Sequence, residues 1–110
     1  MVDQELAQWI YSGLHSPIFH EHKGSYIASC AGNKVTGCAL GAALVGRMGD
    51  AHQALELFMQ MRKERGSATL FFAHHLGLPV AMVKDIDKRH SNGECAEDIA
   101  RSFQVHALSW

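Results

Sequence analysis

The sequence predicts a mainly α fold, a compact bundle of five or six short helices with a small β-hairpin near residues 25–38. Three observations predict it. Apolar residues recur at helical spacing in successive stretches. β-Branched and aromatic residues flank a turn cluster in one place only, "SYIASC-AGN-KVTGCA". The length of 110 residues suits one domain able to bury roughly two-thirds of its unfolded surface without staples. Residues 1–110 therefore read as a single globular helical domain.

Leu6, Trp9, Ile10 and Leu14 share one helical face, and Asp3 is placed to cap it, so a first helix is expected from about Asp3 to Leu14. "HSPIFHEHKG" breaks the period with Pro17 and Gly24 and reads as a connecting loop. In the hairpin, a two-residue turn at Gly32 and Asn33 sets Cys30 opposite Val35 and Cys38 opposite Ile27, too far apart for a disulfide. "CALGAALVGRMG" follows as a helix whose alanines and glycines invite close backbone approach, at a cost of about 1 kcal/mol for Gly41 relative to alanine. The Gly37 to Gly41 spacing resembles a membrane dimer motif, but this apolar run is far shorter than the ~20 residues that span a bilayer. It reads as a buried soluble helix.

Asp50 and Gln53 form a capping-box pattern that opens a helix with Ala51, Ala54, Leu55 and Phe58 on one face, stopped by Gly66. "SATLFFAHHLG" and "PVAMVKDIDKRHSNG" read as two further helices. "ECAEDIARSFQVHALSW" reads as the last, with Ala96, Ile99, Ala100 and Phe103 inward.

Ten basic residues against eleven acidic ones give a formal charge of −1, so no general field draws nucleic acid or anionic lipid. Protonating the eight histidines would turn the surface strongly positive in acid. Three cysteines, an odd set without CxxC spacing, and an N-terminus lacking a basic region before a long apolar run point to the reducing cytoplasm.

"FFAHHLGLPVAMVKDI" places Ala73 where a second helix would cross, Gly77 where a left-handed turn is needed, and Leu78, Val83 and Ile86 where the second helix is anchored. Leu76 adds an inward contact, and Pro79 suits the opening of a helix. Over about residues 69–88 this spacing resembles the DNA-binding helix-turn-helix of bacterial regulators, including those whose turn reads "LGLP". The resemblance implies DNA binding, with Lys84, Lys88 and Arg89 as the phosphate-facing cations. The residues themselves depart from that role. Val80, Ala81 and Met82 occupy the reading positions and lack bidentate hydrogen-bonding groups, while Asp85 and Asp87 offset the cations. The corner is expected to serve cohesion between core helices. Elsewhere, "CALGAA" and "KDIDKRHSNGECAEDIARSF" are similar to small bacterial proteins of uncharacterised function, a likeness that implies no chemistry.

His20 and His22 alternate on an extended segment, and Glu21, His15 or a thiol would be needed to complete a metal site, so these three histidines are the metal candidates, below a solvated loop in rank. Adjacent His74 and His75 diverge by about 100° on a helix and do not chelate together. Cys95 sits near a helix start, which favours a thiolate, but Glu94, Glu97 and Asp98 oppose it. Cys30 and Cys38 read as packing groups. The acidic pairs Glu94 with Glu97 and Asp85 with Asp87 read as solvated or capping. No catalytic or cofactor-binding residue is assigned. The expected function is a non-catalytic cytoplasmic protein-interaction or oligomerisation domain, with a protein partner or itself as a homodimer, and no membrane partner. The apolar residues of the tail, Val105, Leu108 and Trp110, which must either pack on their own domain or meet another chain, motivate the homodimer. The alternatives are a DNA-binding regulator and a metal-binding protein using the histidine loop.

Overall fold

Seven consecutive buried residues, Ala39 to Val45, organise the molecule. A helix apolar on every side has no solvent face and is surrounded. In the computed structural model, which describes the backbone of residues 2–108 and the side chains of residues 4–104, that stretch is α2 (Ala39–Met48). Around it pack α1 (Val2–Leu14), α3 (Ala51–Lys63), α4 (Ala68–Leu76), α5 (Val80–Ser91) and α6 (Ala96–Leu108). Six helices and a three-stranded sheet among the described residues match the expected fold class.

The small residues of α2 do what their size allows. A Cβ added at Gly46 would overlap the Trp9 carbonyl of α1, and one added at Gly13 of α1 would overlap the Ala42 carbonyl of α2. The two backbones therefore touch directly, and Leu6, Ile10, Leu40 and Leu44 are sealed at or below 1 % exposure around the seam. Gly41 makes the equivalent approach to the Tyr26 carbonyl of the sheet. Close contact at three points offsets the intrinsic helix cost of glycine.

The sheet holds one more strand than the hairpin. β1 (Phe19–Glu21) pairs in parallel with β3 (Lys34–Gly37), which pairs antiparallel with β2 (Ile27–Cys30), giving the order β1-β3-β2. The segment expected to be a loop thus contributes an edge strand, because buried Phe19 needs the core while its neighbour His20 points to solvent. The hairpin register also differs by one residue from expectation. A three-residue turn, Ala31–Asn33, with Gly32 and Asn33 both at positive φ, replaces the two-residue turn, so Cys30 faces Lys34 and Ile27 faces Gly37. All three cysteines are free.

Most helix ends follow their local chemistry. The Asp50 carboxylate accepts from the His52 and Gln53 amides at the start of α3, and the Ser67 hydroxyl accepts from the Leu70 amide at the start of α4. Three ends differ from expectation. Helix α1 begins at Val2, so Asp3 lies inside the first turn. Helix α3 stops at Lys63, two residues before a left-handed Arg65, so Gly66 follows the stop and does not make it. Pro79 is the residue before α5 rather than its first, its carbonyl accepting from Met82 and Val83. Ala96, Ile99 and Ala100 of α6 are buried and Phe103 is half-buried, as expected. The side chains of Val105 and Leu108, and the whole of Trp110, lie outside the described residues.

Replacing Gly46 by alanine forces α1 and α2 apart, because the overlapping atom is backbone and cannot rotate away. Overpacking of this kind costs about 1–3 kcal/mol. Urea unfolding followed by circular dichroism should show that loss for Gly46→Ala.

Candidate functional site

The corner between α4 and α5 is built as its spacing implies. Gly77 is left-handed (φ 65, ψ 37), its amide and that of Leu78 both return to the Ala73 carbonyl, and Leu76, Leu78, Val83 and Ile86 are buried beneath. Its outer side is not covered. Pro79, Val80, Ala81 and Lys84 are exposed, so the first turn of α5 projects from the surface. Of the three candidate DNA-contacting cations, Lys84 and Lys88 are exposed, whereas Arg89 is committed. Its guanidinium makes two hydrogen bonds to the Glu94 carboxylate and one to the Ser102 hydroxyl at 3.0 Å, tying α5 to α6. Arg89 beside it holds the Glu94 carboxyl below the ordinary range.

Among residues near α5, the group sequence reasoning missed is His90. It follows Lys88 and Arg89 in the sequence, yet it is 1 % exposed. Its Nε2 lies 2.6 Å from Glu21 Oε2, and the same oxygen accepts the Ala96 amide of α6 at 2.7 Å. A carboxylate oxygen only accepts, so His90 donates from Nε2, which fixes that ring nitrogen as protonated. One atom at the end of β1 thus holds α5 and the start of α6. Apolar neighbours at i−4 and i−7, Ile86 and Val83, were the available signal that position 90 faces inward.

Beside His90 opens a cleft of about 230 Å³ whose wall includes Tyr26, Cys38, Asp87 and Ser91. Tyr26 donates its hydroxyl to Asp87 at 3.1 Å, which corrects the expectation that the Asp85 and Asp87 pair is solvated: Asp85 is exposed, Asp87 half-buried and bonded. Burial, then Asp87, raises the Tyr26 pKa. Burial pushes the Cys38 thiol up to about 11, so it is a neutral packing group at physiological pH. Cys95 is also raised: the Asp98 amide favours the thiolate, but the Asp98 side chain, burial and the charges of Asp98 and Glu21 outweigh it.

The histidine loop is spread out. His15 makes a 2.7 Å bond to the Tyr11 carbonyl, His22 Nδ1 accepts from the Gly24 amide at 3.0 Å, and His20 is exposed, while Glu21 faces the other way toward His90. No group of three metal-ligating residues occurs among the described residues. His75 packs on Phe71 and His74 is exposed, yet the two imidazoles do not diverge as expected: their ring centroids lie 5.0 Å apart, edge to face.

The remaining surface feature is the outer edge of the sheet, exposed at Ser29 and buried at Ile27. The Val35 amide bonds to the Ile18 carbonyl and the Gly37 carbonyl to the His22 amide, so the odd residues of β3 face β1. The Cys38 amide bonds to the Tyr26 carbonyl, so its even residues face β2. Alternation in an antiparallel pair then directs the backbone groups of Ala28 and Cys30 into the ladder and those of Ile27 and Ser29 out of it. Along this edge runs a groove of about 480 Å³ bounded by Tyr26, Ile27 and Ala28 on one side and Phe58, Met59 and Arg62 of α3 on the other. Met59 is 54 % exposed.

No family model, curated protein or solved structure matches the chain. The reading of its function rests on these surfaces.

Removing the shared acceptor strands a buried imidazole and uncaps α6. Glu21→Ala should cost about 2–3 kcal/mol in urea unfolding, the range for a lost hydrogen bond to a charged group, and Glu21→Gln less because an amide oxygen still accepts. The Arg89–Glu94 link gives a pH dependence of defined sign. Because the folded Glu94 pKa is depressed, its contribution is present above the unfolded value near about 4.3 and lost as pH falls through the lower folded value. The melting temperatures of wild type and Glu94→Gln should differ at neutral pH and converge in acid.

Proposed function

We propose that the chain is a non-catalytic interaction domain, working in the cytoplasm through the β2 edge and the exposed flank of α3. The observation that carries this reading is the outward backbone of exposed Ser29, on the flank where exposed Met59 lines a groove. Unpaired edge groups are a ready template for another chain, and soluble proteins normally blunt such edges with charge, proline or a covering segment. "IASC" carries no charge and no proline. The groups nearest to a catalytic set serve cohesion instead: Glu21 is used twice for structure, and the Cys38 thiol is neutral and buried.

DNA binding is the second reading, favoured by one observation, the projecting first turn of α5 with Lys84 and Lys88 exposed beyond it. Its weakness is chemical. Val80 and Ala81 read no base by hydrogen bonding, and Arg89 is held by Glu94.

Affinity capture from the native host separates the two. Proline at position 29 removes an outward donor without touching the ladder, so Ser29→Pro bait should lose captured protein by about tenfold, while Lys84→Glu/Lys88→Glu bait retains it. Nucleic acid on the wild-type bait, lost on the double lysine variant and with raised salt, would instead establish the second reading.

A further inference from the structure

We infer that the cleft beside His90 is a binding site for a small organic ammonium ion, a primary amine on a short chain. This site lies outside the interaction reading and does not depend on it.

Three acceptors meet there on one face of α5. Asp87, His90 and Ser91 stand at i, i+3 and i+4 of the helix, positions whose side chains lie together, and all three line the cleft. Because His90 donates from Nε2 to Glu21, its other ring nitrogen, Nδ1, carries the lone pair of the neutral imidazole. Asp87 accepts the Tyr26 hydroxyl on Oδ2. Neither His90 Nδ1 nor Asp87 Oδ1 takes a hydrogen bond among the described residues, and neither is sealed, since His52 Nε2 is the one side-chain nitrogen or oxygen there that is both sealed and unpartnered. The cleft is the opening that both residues line. A nitrogen on a residue 1 % exposed thus keeps its contact with solvent at the cleft.

Charge selects the occupant. Asp87 is half-buried and makes no ion pair among the described residues. The cation on the rim, Lys23, is turned elsewhere, its Nζ donating to the Gly93 carbonyl at 2.9 Å. The Cys38 thiol in the wall is neutral. An anion would therefore meet an uncompensated carboxylate, and a neutral molecule would leave that charge unpaired. A metal ion lacks a set of three ligands among the described residues. A primary ammonium brings one positive charge and three N–H donors, which match the carboxylate, the imidazole lone pair and the Ser91 hydroxyl. At about 230 Å³ the cleft is smaller than the roughly 300–1,000 Å³ pockets that take drug-sized ligands, so the chain behind the ammonium is short.

Titration of the purified chain with n-butylammonium chloride, followed by amide NMR, tests the inference. Saturable shifts of one-to-one stoichiometry are expected at the amides of residues 23–26 and 87–91, and n-butanol and butyrate should produce none. Butyltrimethylammonium keeps the charge but has no N–H, so it should bind at least tenfold more weakly. Asp87→Asn leaves an oxygen for Tyr26 while removing the charge, and should also weaken binding at least tenfold. Ser91 is exposed, so Ser91→Lys should leave the circular dichroism unchanged. Its tethered cation stands one turn from Asp87 and should abolish binding of n-butylammonium. If Asp87→Asn loses helix, Ser91→Lys decides the matter. The inference is overturned by a titration without saturable shifts, by shifts that sodium chloride reproduces at the same concentration, by equal binding of n-butanol or butyltrimethylammonium, or by a folded Ser91→Lys that binds like wild type.

Discussion

Direct backbone contact between α1 and α2 is the constraint on which the other elements depend. Gly13 and Gly46 each stand where a Cβ would overlap the opposite carbonyl, so the two axes come together without intervening side chains. That proximity lets one short helix, buried along seven successive residues, serve as the centre for five others. Larger residues would widen the seam and separate the walls that α4, α5 and α6 close around. Dispersion contacts fall off quickly with separation, so the compact core follows from the smallest residues in the chain rather than the largest.

The sheet is fastened to this core by a different kind of interaction. Tyr26 meets Gly41 through its carbonyl and Asp87 through its hydroxyl, and its ring lies 5.7 Å from that of Phe72. Glu21 reaches α5 and α6 through one oxygen. Apolar packing sets the position of the helices, and these few polar links set the orientation of the strands on them. With β2 held in this way, its outer backbone is presented in a fixed attitude beside α3, which is what gives the edge a defined shape.

The parts of the fold that were legible in the sequence are those governed by neighbours along the chain. The caps at Asp50 and Ser67, the turn at Gly77 and the inward stripe of α6 all follow from residues within one or two turns. What was not legible depends on distant partners. β1 has three residues and one buried side chain, too few for a periodic signal, and it exists because β3 runs beside it. The hairpin register turned on whether Ala31 belongs to the strand or the turn, a choice that Gly32 and Asn33 at positive φ leave open by themselves. His90 follows two charged residues, and the acceptor that accounts for its burial lies 69 residues away. The corner between α4 and α5 was half legible: its buried underside followed from spacing, its projecting outer turn did not. The β2 edge carries no motif at all, since its character lies in backbone groups that every residue possesses.

The Glu21 carboxylate also bears on the order in which the molecule can assemble. Its two donors come from residues 90 and 96, so during synthesis the first strand emerges long before the groups that fasten it. Helices α1 and α2 meet earlier, through contacts such as Gly13 on Ala42 and Gly46 on Trp9 that need only the first half of this sequence. The sheet acquires its final anchorage only once the start of α6 has been made. A growing chain that has not yet reached His90 therefore carries an unpaired carboxylate and an unfastened β1.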